Sequence, residues 1–245
     1  MVGLRLSIFL STAFLIFSSS AAVQAEPNDP ASQAVVDKFL NASRTQQENL
    51  RGAQMEVRIA ASLPRLAKEG ELKALRSISR VGMITYRALG FSGDNTVKRE
   101  IISRFLTAES QPRDAAITPA NYNFKYKGAA ERDGQTVEIL LVTPKRKAEG
   151  LFKGELWLDP ATGMPVRESG RLVKPGSVFL KKVEFVNSFQ IQDGVAIPKH
   201  FESTVDTRLV GRAVLSVDYS KFSRQETAED GSAEFAAKEI LRPWQ

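Results

Sequence analysis

A single histidine and no cysteine narrow the chemistry open to this 245-residue chain. A histidine-based metal cluster is impossible, and any Ser-His-acid triad has to use His200. That residue sits in Ile197-Pro-Lys-His-Phe201, just after a turn and out of phase with Ile197 and Phe201. This is the setting of a solvated strand histidine. Four carboxylates, Glu155, Asp159, Glu168 and Asp218, fall in or near predicted strands, where a pair could perform acid–base work as in a hydrolase. Glu155 is expected to have Arg167 as a structural partner, and Asp159 precedes Pro160 as a turn residue does. No glycine-rich phosphate loop, nucleophile elbow or metal-ligand spacing occurs. No catalytic residue, metal or cofactor is expected.

Two other sets of residues could bind rather than react. Arg167, Arg171, Lys174, Lys181 and Lys182, with Arg208 and Arg212 further on, either gather along one rim to meet anionic head groups or form a solvated outer face. The formal charge of +6, from 34 basic and 28 acidic side chains, is modest. Aromatics interleave with the apolar residues as core residues do, so nucleic acid is not an expected partner. The second set is apolar: Phe124, Tyr126, Ile139, Leu156, Leu158, Val166, Val183, Phe185, Leu215 and Val217. Taken as one face of a sheet, they either line a ligand cavity or fill an ordinary core.

The elements that must position these residues follow a leader. Arg5, the apolar run Leu6 to Phe17 and the small-x-small site Val23-Gln24-Ala25 read as a secretory signal over 1–25. Residues 26–227 are expected to form one domain, with a charged appendage over 228–245. No later stretch approaches the length of a transmembrane helix. The mature chain is expected to be soluble and periplasmic, or secreted if the cell has no outer membrane. Without cysteine its stability must come from burial and backbone pairing.

Val35, Val36, Phe39 and Leu40 make an apolar stripe that predicts a helix from Pro30 to about Leu50, ended by Gly52. Met55, Val57 and Ile59 alternate with charged residues as a first strand. Lys68 to Glu71 could turn a hairpin into strands near 74–80 and 83–89, although 66–75 could also be helical. Val97, Ile101 and Phe105, with Ile102 and Leu106 beside them, predict a second helix over about 96–108. From Asn121 the period changes to two, and Asp133-Gly134, Asp159 to Gly163 and Asp193-Gly194 punctuate an antiparallel meander.

Within the meander, Gly154-Glu-Leu-Trp-Leu-Asp-Pro-Ala-Thr-Gly-Met-Pro-Val166 is a hairpin. Setting Leu158 against Met164 and Leu156 against Val166 places Glu155 opposite Arg167 and Trp157 opposite Pro165, so opposite charges meet. A slip by one residue sets Glu155 against Glu168 and is disfavoured.

A chain with a signal, an N-terminal helix, a central helix between strands and this hairpin resembles the periplasmic lipoprotein-carrier (LolA-like) half-barrel proteins of the outer-membrane lipoprotein-sorting type. Val183-Glu-Phe-Val186, Val195-Ala-Ile-Pro198 and Leu215-Ser-Val-Asp-Tyr219 fit the same meander. The resemblance implies a mainly β fold, a curved antiparallel sheet covered on its concave face by short helices. It also implies a non-enzymatic role, in which a lipid or lipoprotein acyl chain occupies the cavity. An envelope protein–protein interaction or sensor module without lipid cargo is the alternative, with envelope membrane proteins as partners.

Overall fold

Every second residue from Ala53 to Leu63 (β1) is buried, and that alternation makes the strand a wall of one apolar face. It is one of ten strands hydrogen-bonded into a single sheet. The computed structural model describes residues 30–110, 115–176, 180–208 and 210–224, so the expected signal and C-terminal appendage lie outside the described residues.

Pro30–Asn49 (α1) precedes β1, and Lys68–Ile78 (β2) and Ile84–Gly93 (β3) follow it. A helical run then comprises Asn95–Val97 (α2), a π-helical turn over Lys98–Ile102 and Ser103–Ser110 (α3). The remaining strands are Tyr122–Arg132 (β4), Gln135–Pro144 (β5), Phe152–Leu158 (β6), Pro165–Leu172 (β7), Leu180–Gln192 (β8), Val195–Thr207 (β9) and Arg212–Arg224 (β10). All pairings are antiparallel in the order β3-β2-β1-β10-β9-β8-β7-β6-β5-β4, so β3 and β4 are open edges. The chain between Gly93 and Tyr122 joins one edge to the other. The result is a curved half-barrel with helices on one face.

Local chemistry explains the tight turns. Asp133-Gly134 and Asp193-Gly194 both adopt positive φ (52° and 76°, 51° and 70°), the conformation that two-residue hairpins require. The first hairpin turns earlier than the expected Lys68 to Glu71. Pro64 opens a 3₁₀ turn over Pro64–Leu66 and Ala67 takes the left-handed conformation, leaving Lys68 to Glu71 free to pair in β2. The third strand likewise extends to Gly93, with Phe91 paired to Leu72 rather than breaking the chain.

The hairpin β6–β7 departs from its expected register by two residues. Asp159 accepts hydrogen bonds from Thr162 N and Oγ1, both at 2.7 Å, and its own amide pairs with Met164 O. That carboxylate-capped turn puts Leu158 opposite Pro165, a bulge at Val166 follows, and Leu156 faces Glu168. Glu155 therefore faces Ser169, not Arg167. Up to Trp157 the two-residue offset keeps Leu156 and Glu168 on one face and Trp157 and Arg167 on the other, while the bulge brings Pro165 to the side of Leu158 instead of Trp157.

Both helical units cover the same face. Val35 and Phe39 of α1 pack on β4–β6, while Val97, Ile102 and Phe105 of the second run pack on β1, β2 and β10. Gln46 exchanges hydrogen bonds with the Ala196 backbone, and Lys38 Nζ reaches Pro160 O at 2.7 Å, so α1 is tied to β9 and to the β6–β7 turn.

Candidate functional site

The pairings define a cross-sheet row with one residue from each strand, running Tyr126, Leu140, Leu156, Glu168, Asn187, Phe201, Val217, Ile59, Leu72, Phe91. Eight of its members are apolar or aromatic. The polar pair, Glu168 and Asn187, sits in the middle. The adjacent row carries Phe124, Val142, Gly154, Gly170, Phe185, Ser203 and Leu215. A Cβ built on Gly154 would fall 1.9 Å from Ser169 O, and one on Gly170 would fall 2.6 Å from Phe152 Cδ2, so β6 and β7 approach closely only because both are glycine.

The helices cover the two flanks of this face better than its centre. Leu140, Leu156, Leu158, Ile59 and Val217 are fully buried, whereas Val183, Phe185, Phe201 and Val205 on β8 and β9 are only half-buried. The central strip is aromatic. Phe152 meets Phe185 edge-on at 4.9 Å between ring centroids, Phe185 stacks on Phe201 at 6.2 Å, and Phe201 stacks on Phe105 of α3 at 5.7 Å. These contacts link the core beneath α1 to the core beneath α3.

Glu168 is half-buried as a residue, but its carboxyl lies deep among protein atoms. Burial pushes that carboxyl up to about 7, against a hydrogen bond from Asn187 that acts the other way. The Asn187 Oδ1 is buried and has no hydrogen-bond partner among the described residues. A second polar cluster lies under α3. Arg76, 7% exposed, donates to Tyr86 Oη at 3.2 Å, lies 3.8 Å from Glu109 of α3 and approaches the Tyr219 ring at 6.0 Å. Burial pushes the Tyr86 phenol up to about 12 and raises that of Tyr219 as well.

The expected apolar site residues are distributed as follows. Phe124, Tyr126, Leu156, Leu158 and Phe185 join the cluster beneath α1, and Leu215 and Val217 join the one beneath α3. Val183 faces Val205 on the same side, and Val166 sits in the β7 bulge. Ile139 does not belong with them: it pairs with Trp157 on the opposite face, so the phase of β5 is the reverse of that expected, with Leu140 and Val142 inward. Asn187, Phe201 and Arg76 are not among the sequence candidates, and Glu168 is there only as a carboxylate for acid–base work, not as a member of this face. The available signals were phase alone: Glu168 falls in step with Leu172, and Arg76 with Leu72 and Ala74.

The basic residues do not form one rim. Arg167 lies on the outer face with its guanidinium 4.8 Å from the Trp157 ring centroid, and Arg132 approaches the same ring at 5.9 Å. Together with Lys199 and Ser188 they border an outer pocket of about 730 Å³. Arg171 and Lys181 are exposed toward the other end of β7 and β8, while Lys174 and Lys182 pair with Glu149 at 3.8 Å and Glu184 at 2.7 Å.

The candidate acid–base groups are likewise separated. Burial pushes Glu155 up, but hydrogen bonds from Lys127 at 2.9 Å and Trp157 at 3.2 Å bring it below its ordinary value. His200 is on the outer face, Nε2 on Glu202 at 3.0 Å and Nδ1 on Asp218 at 2.7 Å. The Glu202 hydrogen bond, offset by burial and reinforced by Asp218, raises its pKa. Both ring nitrogens are thus engaged by carboxylates, an arrangement that favours the imidazolium and leaves no nitrogen for a nucleophile's proton. Among the described residues no group of three or more His, Cys, Asp or Glu could hold a metal, and no helix is long and apolar enough to cross a membrane.

No family model matches the chain, and no curated protein matches it by search. Solved structures do. A DUF1329 family protein from Desulfovibrio piger aligns with a TM-score of 0.45 at 15% identity, over 85% of this chain and 99% of that one. An outer membrane lipoprotein-sorting protein domain from Vibrio parahaemolyticus aligns with a TM-score of 0.45 at 13% identity, over 86% and 100%. A LolA superfamily protein from Nitrosomonas europaea aligns with a TM-score of 0.40 at 13% identity, over 81% and 95%. What the chain does has to be read from its own geometry.

Proposed function

We propose that the protein is a periplasmic, non-enzymatic binding or carrier protein that takes the acyl chain of a lipid or lipoprotein against the central strip of its concave face. One observation carries this reading: eight of the ten strands give the central row an apolar or aromatic residue, yet the aromatic side chains of β8 and β9 stay half-buried between the two helical units. Seating an acyl chain there would remove from water both the chain and the rings of Phe185 and Phe201. Each buried methylene contributes about 0.8 kcal/mol. Exposed Arg171 of β7 and Lys181 of β8, near one end of those strands, suit an anionic head group. The leader expected over 1–25 supports this reading, since it would direct the chain to the compartment where such cargo is found.

The interaction-module reading has its own observation. The edge strand β3 exposes Leu89, and the hairpin leading into it exposes Val81 at 79% and Met83 at 57%. Mass spectrometry of an organic extract from protein purified without detergent separates the two. Stoichiometric acylated lipid is the expected result. A lipid-free protein that co-purifies with an envelope protein through β3 would replace the carrier by the module.

A further inference from the structure

Glu168 and Asn187 interrupt an apolar cross-sheet row in the central strip, beside half-buried Phe185 and Phe201. Neither is needed to complete the sheet, since their backbones pair as any others do. Placing a carboxyl and an amide there costs desolvation that a leucine would avoid. The cost is only partly offset within the molecule. Asn187 Oδ1 is a buried acceptor without a donor among the described residues, and a buried acceptor without a donor is the group whose satisfaction yields most.

The chemistry of the pair specifies what would complete it. A carboxyl in its acid form offers an O–H donor, and burial keeps that form populated near neutral pH. Asn187 Oδ1 requires an N–H or O–H. Leu156 lies on one side of the pair and Phe201 on the other, with no cation among these row partners to neutralise an anion. The titratable neighbour that feels the Glu168 charge is the Tyr122 phenol, whose oxygen already accepts from Phe152 N at 3.2 Å. A neutral group with adjacent donor and acceptor fits, and the amide of an N-acylated ligand is such a group, its N–H reaching Asn187 and its carbonyl accepting from Glu168. An ester supplies only the acceptor.

We infer that Glu168 and Asn187 are a hydrogen-bonding anchor in the acyl groove that selects N-acyl amides over esters of the same chain length. This rests on the carrier reading, and the test separates the two. The full mature chain, stripped of lipid, is loaded with the fluorescent probe 1-N-phenylnaphthylamine and titrated with N-methylpalmitamide or methyl palmitate at pH 6 and pH 8.5. The parent should bind the amide about tenfold more tightly than the ester at pH 6, the size of one hydrogen bond to a buried partner. Both affinities should fall at pH 8.5, where ionised Glu168 no longer donates to the carbonyl that amide and ester share, while the preference set by Asn187 persists. Asn187→Leu should bind both ligands equally, and Glu168→Gln, which keeps a donor, should hold both affinities at both pH values. Folding is checked by circular dichroism, and Asn187→Ala, also expected to lose the preference, serves if Asn187→Leu is not native. Equal binding of amide and ester by the parent, or a preference untouched in the Asn187 variants, overturns the anchor and leaves the carrier standing. If neither the probe nor either ligand binds, the carrier reading fails and the anchor with it.

Discussion

Glu168 makes the pH response of this protein unusual for a carboxyl. In the unfolded chain it titrates near the ordinary value of 4.5, and in the fold near 7. Between those values the native state holds a proton that the unfolded state has released, so stability falls as pH rises. The contribution is fully present below about 4.5 and is lost as pH passes through about 7. A shift of this size corresponds to roughly 3 kcal/mol. Glu168→Gln should therefore match the parent near pH 4 and exceed its stability at pH 8 by up to about 3 kcal/mol, read from urea unfolding at several pH values. A difference between the two that does not change with pH would mean the carboxyl is hydrated in the native protein. His200 has the same sign of shift and a smaller expected effect, because it is a third exposed and screened by water.

At the scale of elements, β6 and β7 lie close together where side chains are absent. Because the atoms that a Gly154 Cβ would meet belong to the Ser169 and Gly170 backbone, β6 and β7 must separate to admit it. Gly154→Ala should cost at least about 2 kcal/mol by overpacking, whereas Gly90→Ala, with nothing within 4 Å of the added atom, should be near neutral. Thermal unfolding of the two variants decides it, and equal melting temperatures would exclude the close approach. The helical run Asn95–Ser110 is held differently from α1. Its α3 end meets the sheet through Phe105 and through Arg76, which reaches Glu109. Arg76→Met removes the second tie while keeping a long apolar stem in the core. Amides of 103–110 should then exchange with deuterium faster than in the parent, while those of β1 stay protected. Unchanged exchange over 103–110 would show that apolar packing alone holds α3 down.

For the whole molecule, the two faces of the sheet make opposite predictions. Phe185→Asp puts a charge into the central strip without a partner and should abolish binding of an acyl probe. Trp157→Ala removes a larger side chain, but from the outer face, where it lies between Arg167 and Arg132. It should leave acyl binding within a factor of about two, since nothing it touches faces the groove. Fluorescent fatty-acid titration of both variants, with folding verified by circular dichroism, gives the answer. Loss of binding in the tryptophan variant and retention in the aspartate variant would move the site to the outer pocket.

Much of this was legible in sequence because it is local. The stripe Val35, Val36, Phe39, Leu40 made α1 readable, Asp133-Gly134 and Asp193-Gly194 announced their turns, and alternation placed Leu156 and Trp157 on opposite faces. The phase of β5 was ambiguous: Val137, Ile139, Leu140 and Val142 are all buried, so both faces read as interior. The β6–β7 register could not be derived from alternation, because a shift of two residues leaves every side chain on the same face. The Asp159 cap and the Val166 bulge settled it in three dimensions, and with it the neighbours of Glu168. Whether that carboxyl meets water or apolar walls depends on strands far apart in sequence, on Asn187 and Phe201 beside it, and on how far the helices extend over them. A period of two determines which face a residue takes, and only the assembled sheet determines what it finds there.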